Sequence, residues 1–211
     1  MVTAMQNISK LSFYFDAMCP KSFTAFQILQ RSPAFKEKHI EYKPIIRRKL
    51  LSRRENMENL ELPTSLYTNL EQLRNLNGLS PVALRHVDHR TYAVGKATLF
   101  ITAINRNYPH LAYPVVNELF SRFWLDDLDI GTAPSFLTIS RNVGLEFRDS
   151  DNLVSRLEER SNVDAMNKCL QESLDAQQSD TPWLEFYNIE GERVDTITEL
   201  STLAHDLQNP E

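Results

Sequence analysis

Apolar and polar residues alternate in two short stretches near the start of the chain, residues 10–16 and 39–46. Both stretches are rich in aromatic or β-branched residues, and this alternation predicts two strands. Between them, apolar residues recur at helical spacing from Ser22 until Ser32, which precedes a proline that disfavours further helix. The opening therefore predicts a β-α-β unit, which is usually parallel and right-handed.

In the middle of the chain the apolar residues recur at helical spacing, and few stretches have the alternation typical of strands. Residues 64–79 carry leucines on one face and reach Gly78, which is placed as a helix C-cap. Further amphipathic helices are predicted for four segments, residues 90–107, 110–127, 134–145 and 151–178.

Near the end of the chain the pattern of apolar residues changes from helical spacing to that of extended strands. Residues 181–194 hold an apolar run, a turn at Glu190-Gly191 and a second extended piece, which predicts a β-hairpin. A last helix is predicted for residues 198–207, with Thr198 at its N-cap position.

The order β-α-β, helical block and β-β-α predicts an α/β protein with a thioredoxin-like fold that is split by a large all-helical insertion. We expect the first part of the thioredoxin-like domain in residues 1–62, the insertion in residues 63–176 and the second part in residues 177–211.

Composition narrows the classes of function. The chain has 42% hydrophobic and 24% charged residues and a net charge of −5, which argues against bulk binding to polyanions such as nucleic acid. We find no apolar run long enough to span a membrane and no secretory signal in the first ten residues. The two cysteines are far apart in sequence, and this pattern favours a reducing, intracellular compartment.

Cys19 follows the first predicted strand and precedes the first predicted helix. A helix N-terminus lowers the pKa of a thiol, and Lys21 adds a nearby positive charge. Ser22, the fourth residue of Cys-Pro-Lys-Ser, is placed to donate a hydrogen bond to a sulfur anion. These features predict a reactive, solvent-exposed thiol, and the alternative is a buried, inert cysteine.

Thr181-Pro182 begins the predicted hairpin. In a thioredoxin fold this turn faces the start of the first helix, so we expect a cis bond before Pro182. The backbone of Thr181 is then placed to pair with a peptide-like ligand, as an added strand does. An ordinary trans proline at a strand edge is the alternative.

Three other features are given less weight. The basic run at residues 47–54 is interpreted as a solvated face, with attraction of ligand carboxylates as the alternative. His86, Asp88 and His89 lack a further ligand at fixed spacing, so we expect no metal site. Cys169 lies inside a helical pattern and is interpreted as a packed residue.

The chain resembles the kappa-class glutathione transferases and their relatives, the 2-hydroxychromene-2-carboxylate isomerases and the bacterial disulfide oxidoreductases with a helical insertion. The resemblance covers nearly the whole chain. It rests on residues 11–29 (LSFYFDAMCPKSFTAFQIL), on residues 98–130 with the pair Phe123-Trp124, and on the closing segments TPWLEFYNIEGERV and ELSTLAHDL.

The resemblance implies a set of residues that bind glutathione. Cys19 replaces the family's serine, whose hydroxyl stabilises the glutathione thiolate, and QQSD replaces the family's Gly-rich turn. The remaining positions carried over from the family are Asn56 for the glutathione backbone, Thr181 with Pro182 for its cysteinyl unit, and Thr198 with Glu199 for its γ-glutamyl end.

By this resemblance we expect a kappa-like glutathione transferase that conjugates the glutathione thiol to small electrophiles. Glutathione would be the co-substrate, and a homodimer formed through the helical block is implied. A thiol is a weaker hydrogen-bond donor than a hydroxyl and can itself ionise. A monothiol thiol-disulfide oxidoreductase using Cys19 is therefore the first alternative, and a non-catalytic module that binds glutathione or a protein is the second. The resemblance implies a mitochondrial or peroxisomal location, with a cytoplasmic one as the alternative.

Overall fold

The fold is known from a computed structural model that describes residues 8–36, 38–52, 70–75, 77–79, 91–178 and 180–208. It contains a four-stranded mixed sheet with the strand order β2-β1-β3-β4. The strands are β1 (Ile8–Phe15), β2 (His39–Pro44), β3 (Trp183–Asn188) and β4 (Arg193–Ile197).

The pairing of the strands agrees with the predicted order of elements. Strand β1 is parallel to β2, and α1 (Pro20–Arg31) connects the two. Strand β3 is antiparallel to both β1 and β4, so residues 183–197 form the predicted hairpin, with Gly191 in its turn at a φ of +81°. The predicted α/β class, a thioredoxin-like fold with a helical insertion, is confirmed.

Most of the helices lie between β2 and β3 in the sequence. They are α2 (Arg47–Ser52), α3 (residues 70–75), α4 (Thr91–Asn107), α5 (Ala112–Trp124), α6 (Ala133–Asn142), α7 (Phe147–Ser155) and α8 (Arg160–Asp175), and α9 (Leu200–Gln208) closes the chain. The limits 1–62, 63–176 and 177–211 for the three parts of the chain stay a prediction.

Two of the sequence predictions about helix ends differ from the structure. Residues 151–178 do not form one helix, because a turn at residues 156–158 separates α7 from α8. Helix α9 begins at Leu200, so Glu199 and not Thr198 directly precedes it. The predicted C-cap at Gly78 is confirmed: Gly78 has a φ of +60°, and the N–H of Leu79 donates to the carbonyl of Arg74 at 2.9 Å.

Both faces of the central strand β1 are buried near its end. Phe13 and Phe15 pack with Phe120 of α5 in the main core, whereas Tyr14 stacks on Trp183 at 4.3 Å between ring centroids on the other face. Burial on both faces holds the end of β1, and the loop that follows it, against two layers of side chains.

No helix in the described part of the chain is long and apolar enough to cross a membrane.

Candidate functional site

The loop between β1 and α1 places Cys19 at the start of the first helix. The N–H of Cys19 donates to the carbonyl of Asp16 at 3.0 Å, and the carbonyl of Cys19 accepts from the N–H of Phe23 at 3.1 Å. Cys19 is the N-cap residue, and Pro20 occupies the first helical position, where its missing N–H costs nothing. The helix terminus predicted for Cys19 is therefore present.

The thiol of Cys19 meets the turn that begins the hairpin. The bond between Thr181 and Pro182 is cis, as predicted. The Sγ atom of Cys19 lies 3.6 Å from the carbonyl oxygen of Thr181, which accepts the S–H hydrogen bond. The structure thus brings Cys19, Thr181 and Pro182 together at one place.

The predicted exposure of Cys19 is wrong, and so is its predicted low pKa. Cys19 is only 3% exposed, and burial raises the pKa of its thiol above the ordinary value. The positive charges of Arg47 and Lys21 lower this pKa, but Asp16 and Asp180 raise it. Burial outweighs the two cations, so the pKa of the Cys19 thiol is raised and its neutral form is favoured.

An ion cluster borders this site. The carboxylate of Asp180 accepts a short hydrogen bond from Nε of Arg47 and a second one, at 3.2 Å, from Nη2 of the same residue. It also forms an ion pair with Lys21, whose Nζ atom lies 2.7 Å away. Burial alone would raise the pKa of Asp180, but hydrogen bonds from Arg47 and the two positive charges lower it. The basic run is therefore not a purely solvated face, because Arg47 at its start faces Asp180 while Arg48 and Lys49 are exposed.

Asp16 is a buried carboxylate that the sequence analysis missed. Its Oδ1 atom accepts the N–H of Met18 at 2.7 Å, and its Oδ2 atom accepts the N–H of Arg47 at 2.8 Å. Burial raises the pKa of Asp16 to about 6, although these two hydrogen bonds act to lower it. Its position at the end of a predicted strand, three residues before a cysteine, is the signal that could have identified it.

The predicted hydrogen bond from Ser22 to the sulfur of Cys19 is not present among the described residues. The hydroxyl oxygen of Ser22 accepts a hydrogen bond from the backbone N–H of Asp16 at 3.2 Å, and its side chain is fully buried. Ser22 therefore fixes the loop that carries Cys19.

Thr181 has one polar atom without a partner. Its N–H donates to Asp180 Oδ1 at 2.8 Å, and its carbonyl accepts from Cys19. The buried Oγ1 atom of Thr181 has no hydrogen-bond partner among the described residues. Buried hydroxyls are normally satisfied, so this atom is a position where a ligand could bind.

The other predicted site residues are less informative. Thr198 and Glu199 are exposed between β4 and α9, and Asn56 lies outside the described residues. Cys169 packs against the smaller core around Trp183, where burial raises the pKa of its thiol to about 12. Within the described ranges, no group of three or more His, Cys, Asp or Glu side chains could hold a metal ion; His86, Asp88 and His89 fall outside those ranges.

The strand order, the helical insertion and the cysteine opposite a cis-proline turn define a thioredoxin-fold protein with a helical insertion. Residues 10–205 match the family described as the DSBA-like thioredoxin domain, and the chain belongs to this family. A comparison with curated proteins gives no match.

Solved structures with the same fold agree with this assignment. A 2-hydroxychromene-2-carboxylate isomerase is 15% identical with a TM-score of 0.66, and the alignment covers 94% of each chain. The cytosolic disulfide reductase DsbM from Pseudomonas aeruginosa is 11% identical with a TM-score of 0.64, and the alignment covers 93% of each chain. A putative protein disulfide isomerase from Nitrosomonas europaea has the same identity and TM-score, with 94% of this chain and 95% of that chain covered. At these identities the likeness shows the fold.

Proposed function

We propose that this chain is a kappa-like glutathione transferase in which Cys19 acts as a hydrogen-bond donor and not as a nucleophile. One observation carries the proposal: the Sγ atom of Cys19, at the start of α1, lies 3.6 Å from the carbonyl oxygen of Thr181, next to Pro182. Burial raises the pKa of this thiol, which favours its neutral, donating form. In the proposed complex the cysteinyl unit of glutathione lies along Thr181, and the S–H of Cys19 turns from that carbonyl to the glutathione sulfur.

The charge of Cys19 decides between a donor and a nucleophile. Two thiolates facing each other would repel, whereas a neutral thiol donates to the glutathione thiolate without repelling it. The N-terminus of α1 favours negative charge at this position, and so do Arg47 and Lys21, although Asp16 and Asp180 oppose the two cations. This arrangement supports an anionic sulfur on the ligand beside a neutral sulfur on the protein.

The proposed reaction is a substitution at an electrophilic carbon. With 1-chloro-2,4-dinitrobenzene, the glutathione thiolate forms a carbon–sulfur bond, and the carbon–chlorine bond breaks as chloride leaves with the electron pair. The thiol proton is lost to solvent when glutathione binds. Because Cys19 is only 3% exposed, we infer that the side chains covering it move when glutathione binds.

Thiol-disulfide exchange is the second candidate, and it is favoured by a cysteine at the start of the first helix in a family that includes disulfide reductases. One of the matched structures is DsbM with glutathione, which supports a glutathione-linked reaction here. In this case the Cys19 thiolate attacks the disulfide of oxidised glutathione. A mixed disulfide forms, and one glutathione thiolate leaves.

Two assays separate the candidates. For the transferase we expect glutathione-dependent conjugation of 1-chloro-2,4-dinitrobenzene and an unchanged intact mass after incubation with oxidised glutathione. Addition of one glutathione moiety, lost in Cys19→Ser, would instead establish exchange. No activity in either assay and no glutathione binding by calorimetry would refute both enzymatic proposals and leave a non-catalytic binding module.

A further inference from the structure

A polar groove lies on the face of the sheet that is turned away from the main core. It is lined by side chains of the sheet, among them Ser12 and Tyr14 of β1 and Glu185 of β3, and by the last turn of α8. The groove has a volume of about 490 Å³, and neither Cys19 nor Pro182 lines it. It is therefore separate from the candidate site described above.

Tyr14 supplies a buried hydroxyl to this groove. The residue is only 5% exposed, and its ring stacks on Trp183. The hydroxyl forms no hydrogen bond with any of the described residues. Burial, and then the charge of Glu185, raises the pKa of Tyr14, so the group stays a neutral hydroxyl that can donate and accept. Buried hydroxyls normally have partners, so this one marks a place where a polar group of a ligand can bind.

The last turn of α8 adds negative charge to the same groove. Glu172 and Asp175 both lie in this turn, which has no basic residue. The carbonyl end of a helix favours cations, so two carboxylates at this position oppose the helix dipole. Glu172 has Lys43 at 3.7 Å. Asp175 accepts a hydrogen bond from the amide of Gln171 at 2.8 Å, and no cation among the described residues is paired with it.

The cations of the groove are already paired with carboxylates of the sheet. These ion pairs are Arg193–Glu185 at 3.0 Å, Lys10–Glu41 at 3.4 Å and Lys43–Glu41 at 3.7 Å. Among the described residues that line the groove, three cations face four carboxylates, which leaves one negative charge in excess. The carboxylate without a cation is Asp175. The excess charge and the hydroxyl of Tyr14 together favour a ligand that is a cation with N–H donors.

We propose that this groove binds a primary alkylammonium ion, which donates hydrogen bonds to the carboxylate of Asp175 and to the hydroxyl oxygen of Tyr14. A primary ammonium group has three N–H donors, so it can also reach Glu172. Hydrogen bonds from a charged donor to a carboxylate are stronger than those between neutral groups. Asp175 is exposed, so the ion reaches the groove from solvent without a change of fold. This site goes beyond the proposed function and takes part in none of its steps.

The test compares thermal unfolding in butylammonium chloride and in butanol, its neutral counterpart, at one pH and one ionic strength. Calorimetric titration with butylammonium chloride gives the Kd. At a tenfold excess over this Kd, butylammonium should raise the unfolding temperature of the wild type by roughly 3–6 °C, whereas butanol should not. Tetramethylammonium chloride, which has the charge but no N–H donor, should not raise it either.

Two variants test the residues named in the proposal. Asp175→Asn should abolish the effect of butylammonium, and Tyr14→Phe should weaken its Kd roughly 10-fold, the value of one hydrogen bond to a charged group. Without the ligand, both variants should be at least as stable as the wild type. Tyr14→Phe removes a hydroxyl that has no partner, and Asp175→Asn removes a charge that opposes the helix dipole.

Asp164→Asn is the matched control. Asp164 also lies in α8 and is exposed, but it pairs with Arg160 at 3.6 Å and does not line the groove. This variant should respond to butylammonium as the wild type does. An equal response of Asp175→Asn, an equal effect of butanol or tetramethylammonium, or no effect of butylammonium on the wild type would overturn the proposal. Failure of Asp175→Asn or Tyr14→Phe to fold would also overturn it, by showing that the replaced group already has a partner in the ligand-free protein.

Discussion

Replacing Cys19 with alanine should lower kcat/KM for conjugation of 1-chloro-2,4-dinitrobenzene roughly 10- to 100-fold, the value of one hydrogen bond to a charged group. Cys19→Ser should keep the wild-type rate or exceed it, because a hydroxyl is a better donor than a thiol. Initial rates at saturating glutathione, measured for the three proteins at one pH, give the comparison.

The matched control for this pair is Cys169→Ser. Cys169 receives the same chemical change but lies in α8, packed against the smaller core. Its replacement should leave the rate unchanged. If Cys19→Ser loses as much activity as Cys19→Ala, Cys19 is acting as a nucleophile, and the donor role is wrong.

Wild-type stability should fall relative to that of Asp16→Asn as the pH rises from 4 to 7. The pKa of Asp16 is about 6 in the folded chain, against an ordinary value near 4 when unfolded. Between these values the folded state retains a proton that the unfolded state has released, so folding is progressively disfavoured as the pH rises. The difference in free energy of unfolding should change by about 3 kcal/mol over this range.

Urea unfolding at several pH values measures this difference. Asparagine has one acceptor where aspartate has two, and Asp16 accepts N–H bonds from Met18 and Arg47, so the absolute stability of the variant will also change. The pH dependence of the difference is therefore the quantity to compare. Asp195→Asn, on the exposed strand β4, is the control. A difference between wild type and Asp16→Asn that stays flat with pH would show that folding does not raise the pKa of Asp16.

The sequence predicted those parts of the fold that depend on local patterns. Alternation identified β1 and β2, helical spacing identified α1, and the Gly191 turn identified the hairpin. The turn between α7 and α8 was missed because polar residues continue through it without a glycine or proline. The position of Cys19 opposite Pro182 followed from the order of elements, which sets the topology.

The chemistry of the site depends on contacts between residues distant in sequence. Asp16 meets Arg47, and Arg47 meets Asp180, across 31 and 133 positions. The degree to which Cys19 is buried also depends on packing from several segments, and no local pattern reports it. A helix N-terminus can be identified from sequence, but the desolvation that opposes it cannot.

The ionisation of Cys19 tests the central claim most directly. The rate at which iodoacetamide alkylates Cys19 should be measured against pH and quantified on the peptide that contains it, so that Cys169 is scored separately. We expect the rate to be still rising above pH ~9, because burial raises the pKa of the thiol. A rate that levels off below pH ~7 would mean that Cys19 is a thiolate under physiological conditions, which contradicts a protonated donor.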